Sequence, residues 1–353
     1  MSCTHAPCGE SEGLRDTARG EEPARSQHLA IIVVSWNVRD LLAQCLTSIF
    51  DELAQTPDVS ATVWVVDNAS DDDSVKMISF RFPDVQVIAN SSNRGFAAAN
   101  NQALQAAGFG SQTPTDELPD YVLLLNPDTT LLPGALSQWL EVAGQCPHAG
   151  VIGGALQYPD GGFQHSAFEF PTLKQIFLDF FPLHHRLINS RLNGRYPLVC
   201  YATKRPFVVD HPLGAAMLIR RQAILDAGLL DEGYFMYAEE VDWCIRMRAS
   251  GWLSICAPSV RVVHHEAQST RQIHSPMFVR LWESRLRLFA LHYGIRFNWG
   301  ARRLVHLGLR RLRKEAAQQH AAGRIDAEAL AQRQNALDQV AELLRRPKES
   351  FRQ

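Results

Sequence analysis

The run Leu29-Ala30-Ile31-Ile32-Val33-Val34, followed by Ser35-Trp36-Asn37, decides how this chain folds. An unbroken apolar run of strand length is expected of a strand covered on both faces, because a half-exposed strand would alternate apolar with polar. Beyond the polar break, Leu41, Leu42, Cys45, Leu46, Ile49 and Phe50 recur at the spacing of one helix face. Thr62-Val63-Trp64-Val65-Val66 is a second buried strand ending at Asp67. Strand, helix and strand in this order predict a parallel sheet with crossover helices.

The alternation extends outward from that unit. Val85–Ala89 reads as a strand, Phe96–Ala107 as an Ala-rich helix, 108–119 as a Gly/Ser/Pro/Thr loop and Tyr121–Leu125 as another buried strand. Pro133 opens a helix with Leu136, Trp139 and Leu140 on one side. Residues 158–210 show no clean period. Regularity returns at Leu213–Ile219, with helices expected near 221–227 and 239–250 and two strands near 253–257 and 260–264. A last helix is expected over 326–345, where Leu330, Leu337 and Leu344 recur.

The fold class is therefore α/β, a Rossmann-like, mostly parallel sheet flanked by helices, with a helical, basic C-terminal extension. Residues 1–27 lack a hydrophobic period and read as a disordered leader without the apolar segment of a signal peptide. One folded domain spans 28–270. The extension spans 271–353.

Composition narrows the function classes. The 353 residues are 46% hydrophobic and 20% charged, enough for a sizeable core. Thirty-five basic and 37 acidic residues give a net charge of -2, which excludes a nucleic-acid coat protein. Cysteines stand at 3, 8, 45, 146, 200, 244 and 256 with no C-x-x-C pair. That pattern argues for a reducing compartment and against a disulfide scaffold. Cys3, His5 and Cys8 have no further ligand nearby in sequence to make a metal site. No apolar run approaches the ~18 residues of a membrane span. Residues 271–320 carry a net charge of +9 beside Phe278, Trp282 and Phe289. This stretch is either a solvated face or a surface for an anionic bilayer.

Polar clusters fall directly after the predicted strands, where open parallel sheets bind ligands. They are Ser35-Trp36-Asn37, Asp67-Asn68-Ala69-Ser70-Asp71-Asp72-Asp73, Asn93-Arg94-Gly95-Phe96 and Asn126-Pro127-Asp128-Thr129. Each alone reads as a turn or cap. Four on one sheet edge describe a polar ligand site. Asp67 suits the donors of a nucleobase or ribose. Asp128 suits a hard divalent cation on a diphosphate. Glu239-Glu240-Val241-Asp242, among Phe235, Met236, Tyr237 and Trp243, is either a helix-capping set with an Arg246 bridge or a general base flanked by carboxylates. Of His264 and His265, adjacent on a strand, one can face the site.

Taken in order, these segments resemble the inverting, nucleotide-sugar-dependent glycosyltransferases of the GT-A fold, family 2, and among them rhamnosyltransferase-like members. Gly228-Leu229-Leu230-Asp231-Glu232, Gly251-Trp252 and Asn100-Asn101 belong to the same ordered set, which spans about 30–270. The resemblance implies that 28–270 is a GT-A catalytic domain, with a nucleotide-binding half about 28–130 and an acceptor half about 131–270. It implies that Ser35, Asn37, Asp67 and Asp72 hold the nucleotide, with Asn68, Asn93, Gly95, Asn101 and Asn126 in the same set. It implies Asn126-Pro127-Asp128 in place of an Asp-x-Asp motif, with Mg²⁺ or Mn²⁺ on Asp128 and on His264 or His265. Glu240 stands at the catalytic base, where the family usually has Asp; Glu239 and Asp242 compete for the role. The implied partners are a nucleoside-diphosphate sugar, best matched by dTDP-rhamnose, and a glycan or lipid-linked acceptor of cell wall or polysaccharide biosynthesis, with no nucleic acid. The implied location is cytoplasmic, with peripheral attachment to the inner face of the membrane through 271–320. Two other classes compete: a nucleotidyltransferase, which would need a Gly-rich phosphate loop after the first strand, and a non-catalytic sugar-nucleotide binder.

Overall fold

The structure, a computed structural model, describes Thr4, Ala6, Cys8 and residues 27–181, 191–265 and 274–352. Strands β1 (Gln27–Ser35), β2 (Val59–Asp67), β3 (Gln86–Ala89) and β4 (Tyr121–Leu125) are parallel and lie in the order β3-β2-β1-β4. Helices α1 (Arg39–Ala54), α2 (Ser74–Arg81) and α3 (Phe96–Ala106) make the crossovers. The apolar run in β1 serves two cores, because successive side chains point to opposite faces. Leu29, Ile31 and Val33 join Leu42 and Leu46 of α1, while Ala30, Ile32 and Val34 join Ala97, Ala103 and Leu104 of α3. The chain steps from β1 outward to β3 and then returns to the other side of β1 for β4. The crevice between the carboxyl ends of β1 and β4 is thus a topological switch point, the place where such sheets bind ligands.

The second half is mixed. It contains β5 (Thr129–Leu131), α4 (Ala135–Gln145), β6 (Ala149–Gln157), β7 (Phe163–Gln164), β8 (Ala167–Phe168), α5 (Leu173–Phe180), α6 (Leu198–Ala202), β9 (Phe207–Val209), β10 (His211–Pro212), β11 (Ala216–Arg220), α7 (Arg221–Ala227), α8 (Glu239–Ala249) and β12 (Leu253–His264). The sheet continues β4-β11-β6-β12-β5, with β7 on β6 and β9 on β12; β8 and β10 pair apart from it. Two strands were expected over 253–264, and one is found. Ala257 pairs with Gly154 and Arg261 with Ala155, so β12 absorbs Pro258-Ser259-Val260 as a bulge and runs on. Pro258 has no N–H for the ladder, which is why the sequence looks broken there.

Helices α9 (His274–His292), α10 (Ile295–Ala321) and α11 (Ala327–Leu343) form the extension and share an apolar core with α5 around Phe180, Trp282, Phe289, Val305 and Val340. α9 also braces the segment leading into α8. Ser284 Oγ donates to the Met236 carbonyl at 2.7 Å, Arg287 binds both oxygens of Asp231, and His292 Nε2 lies 2.6 Å from Asp242 Oδ1.

The structure bears on two expectations at the N-terminus. In the leader, read from the sequence as disordered, the described Thr4 and Ala6 lie along β9: Val208 N–H donates to the Thr4 carbonyl and Ala6 N–H to the Pro206 carbonyl. Cysteine spacing argued against disulfides, yet Cys8 is bonded to Cys146 across 138 residues and Cys200 is also disulfide-bonded. Such a pairing depends on where a tail returns to the sheet, which spacing does not encode. Cys45, Cys244 and Cys256 are free thiols, each buried.

Candidate active site

A cavity of roughly 430 Å³ opens over the switch point. β1 contributes Ser35, β4 is followed by Asn126 and Asp128, and β12 ends in His264, all in its wall. Across from them stand Glu239 and Glu240 at the start of α8. The strand ends and the start of α8 thus bring residues 35, 128, 240 and 264 to one hollow.

On the strand side, β1 and β2 place Ser35 and Asp67 side by side in register. Asp67 Oδ2 accepts from Ser70 N–H at 2.9 Å, while Asp67 Oδ1 and Ser35 Oγ are buried without a partner among the described residues. Asp67 itself is just outside the cavity wall, which its neighbour Asn68 reaches. Asn68 Nδ2 donates to the Gly95 carbonyl, and Asn93 Oδ1 accepts from Gly95 N–H. Gly95 has φ of +83°, and a Cβ there would run into the Phe235 carbonyl oxygen, which accepts from Phe96 N–H at 2.7 Å. Only glycine lets α3 approach the segment before α8 so closely.

His264 pairs with Thr129 across β12 and β5, and His265 N–H donates to the Asp128 carbonyl. This register turns His264 into the cavity and leaves His265 outside its wall. His264 Nε2 is 3.5 Å from Asp128 Oδ1, and its Nδ1 is 3.1 Å from Gln164 Oε1. An amide oxygen can only accept, so Nδ1–H donates to Gln164, which holds the ring with Nε2 facing Asp128. A carboxylate beside an imidazole nitrogen held in this orientation is a sound pair of ligands for a divalent cation. Among the described residues no group of three or more His, Cys, Asp or Glu could hold a metal without help, so phosphate oxygens or water would complete the shell.

The acid side is built differently. Tyr237 and Ala238 have φ of +70° and +67°, a left-handed backbone that non-glycine residues adopt only under constraint. The turn they make delivers Glu239 and Glu240 to the cavity, and each has its Oε2 buried without a partner among the described residues. Burial raises both carboxyls above their ordinary range. For Glu239 the adjacent Glu240 charge raises it further, while backbone N–H groups of Glu240 and Val241 moderate the rise for Glu240. Gly214 lies directly over Glu240, where a Cβ would sit 3.5 Å from its Cγ.

Other predicted residues are committed elsewhere. Asp242 is buried, with Arg246 Nε at 2.7 Å and His292 Nε2 at 2.6 Å. Burial would raise its carboxyl, but the His292 hydrogen bond and the Arg246 charge outweigh that and hold it below its usual range. Asp72 accepts from Arg39 N–H and from the Ser74 hydroxyl, Asn37 Oδ1 accepts from Asp71 N–H, and Asn101 binds Leu230 and Glu232. None of these four lines the cavity. Gln164, Gly214 and Tyr237 were not foreseen. Only Gly214, set just before an apolar strand, left a trace in the sequence.

Comparison with known proteins bears on this arrangement. The model of glycosyl transferase family 2 matches residues 30–205. N-acetylglucosaminyl-diphospho-decaprenol L-rhamnosyltransferase of Mycobacterium tuberculosis is 31% identical over 248 residues, covering 69% of this chain and 77% of that protein. This chain belongs to glycosyl transferase family 2. Rhamnosyltransferase WbbL of Escherichia coli is 26% identical over 194 residues, 52% of this chain and 66% of its own. The mannosyltransferase PcManGT of Pyrobaculum calidifontis, solved with GDP-Man and Mn²⁺, shares the fold at a TM-score of 0.52 and 15% identity, covering 96% of this chain and 86% of that one. The transferase therefore has the GT-A architecture expected of it, and the nucleotidyltransferase reading falls away. No described helix of the transferase is long and apolar enough to cross a membrane.

Proposed function

We propose that the transferase moves rhamnose from dTDP-rhamnose to a hydroxyl of a lipid-linked glycan, with inversion, in one displacement. The observation that carries this reading is the unpartnered, buried Glu240 Oε2 in the same cavity as Asp128 and His264. Glu240 takes the proton of the acceptor hydroxyl as that oxygen forms its bond to the sugar C1. The C1–O bond to the diphosphate breaks on the opposite face, and the electron pair leaves with the diphosphate. Ser35 Oγ and Asp67 Oδ1, buried and unbonded, are suited to bind the nucleoside. Asp128 and His264 would hold Mg²⁺ or Mn²⁺, which when bound offsets charge on the diphosphate. The raised carboxyl of Glu240 suits a general base. The choice of rhamnose and of a lipid-linked acceptor follows the names of the two curated relatives.

Attachment to the inner face of the membrane is supported by α10, which exposes Ile295, Trp299 and Leu307 among its arginines. Flotation with anionic vesicles tests it: protein left in the soluble fraction at low salt refutes it. The catalytic reading is tested by Glu240→Gln, which should retain donor binding by thermal shift and lose transfer. Unchanged turnover would remove Glu240 from the mechanism.

A further inference from the structure

A second cavity, of roughly 280 Å³, meets the first at Glu240, Leu213 and Tyr237, which line both. It lies between α5, α8, α9 and the β8–β10 pair, and neither Asp128 nor His264 lines it. Its walls mix apolar side chains such as Ile176, Leu288 and Phe289 with polar ones, His211 and Gln175 among them.

His211 is a built feature. Its ring lies parallel to those of Phe168 (centroids 5.7 Å apart, planes at 22°) and Phe170 (6.1 Å, 6°). Its backbone is fixed by the pairing of β10 with β8. Nδ1 is 3.1 Å from the Pro212 carbonyl oxygen, an acceptor, so Nδ1 holds the proton. Burial lowers the imidazole pKa to about 4, which keeps it neutral at physiological pH. Nε2 is then a hydrogen-bond acceptor, and no described residue bonds it. The side chain is 8% exposed, and the cavity is what it is exposed to. A phenylalanine would complete the ring stack equally well. Nε2 is therefore an acceptor presented to whatever occupies the cavity.

We propose that this second cavity receives the acceptor sugar and that His211 Nε2 selects it by accepting a hydrogen bond from a ring hydroxyl other than the one that reacts. The proposal rests on the glycosyl-transfer reading above and adds to it the residue that recognises the acceptor. A hydroxyl donates to a neutral imidazole, whereas a sugar lacking that hydroxyl would leave Nε2 without this bond. Discrimination built on a buried polar group rejects analogues that lack its partner.

The test uses a short-chain polyprenyl diphosphate carrying N-acetylglucosamine, with its 3-, 4- and 6-deoxy analogues. The full chain is assayed for acceptor KM, or Ki for the analogue without the reacting hydroxyl. His211→Phe keeps the stack and removes the nitrogen. It should raise acceptor KM roughly 2- to 12-fold, the range of one neutral hydrogen bond, and leave donor KM and donor hydrolysis unchanged. One deoxy analogue should bind the wild-type chain more weakly by the same factor and show no further loss with His211→Phe. That comparison within the wild-type chain stands even if the variant folds poorly. Equal penalties across all analogues, no penalty, or an acceptor that binds neither protein overturns the assignment. A wild-type chain that releases no nucleoside diphosphate from any donor sinks the transferase reading instead, and the two failures are told apart by that control.

Discussion

Between β2 and α2 the chain carries Asp67, Asp71, Asp72 and Asp73, and at the start of α8 it carries Glu239, Glu240 and Asp242. On paper these are two similar acidic clusters. In the loop after β2 most carboxylates are used by their surroundings: Asp72 by Arg39 and Ser74, Asp73 by Lys76, and one oxygen of Asp67 by Ser70. At α8 the outcome is reversed. Among the described residues, two glutamates keep a buried oxygen each without a partner, while Asp242, one turn further in, is saturated. A flexible polar loop can turn its own N–H groups toward its acids. A helix start fixed by two left-handed residues under an apolar ceiling cannot, so its acids remain available. Availability, more than acidity, marks the chemical site.

The sharpest way to break this contrast is Glu240→Gln. Transfer should fall about 10²- to 10⁴-fold, the scale of general base catalysis, measured as product formed at saturating donor. Asp67→Asn probes the one spare oxygen of the loop. If that oxygen binds the donor, donor KM should rise roughly 10- to 100-fold, as for a lost hydrogen bond to a charged group, with kcat little changed. Glu239→Gln sharpens the comparison through stability. A carboxyl held above 4.5 in the fold keeps its proton longer there than in the unfolded chain. The fold is therefore favoured below that pH and loses this advantage as pH rises. The glutamine variant should melt a few degrees higher than wild type at pH 8 and equally at pH 4. Asp72→Asn should have the smallest effect, within about 1 kcal/mol of stability, with turnover preserved; a large loss of activity would place the loop acids in the site after all.

The architecture was legible because β1 and β4 are apolar throughout and because helical spacing separates them. The site was legible where it rests on strand ends: Ser35, Asn126 and Asp128 follow from the positions of β1 and β4. Alternation on β12 limited the choice to one of two histidines, and only the pairing with β5 selects His264. The Asp242–Arg246 contact follows from four-residue helical spacing, but His292 comes from 50 residues away and leaves no local signal. The same holds for Cys8 and Cys146, whose union depends on a tail returning to the sheet. Tyr237 and Ala238 carry no glycine-like mark, so the turn that presents the two glutamates was invisible before the fold.

The brace from α9 has a practical consequence for anyone cutting this chain. The change in composition near residue 271 looks like a seam, but Asp231, Met236 and Asp242 are each held by a side chain beyond it. A fragment ending at 270 would strand a buried carboxylate opposite a lone arginine and free the turn that aims Glu240. The extension works as the frame in which the Glu240 edge of the cavity is set, and the two should melt and express as one unit.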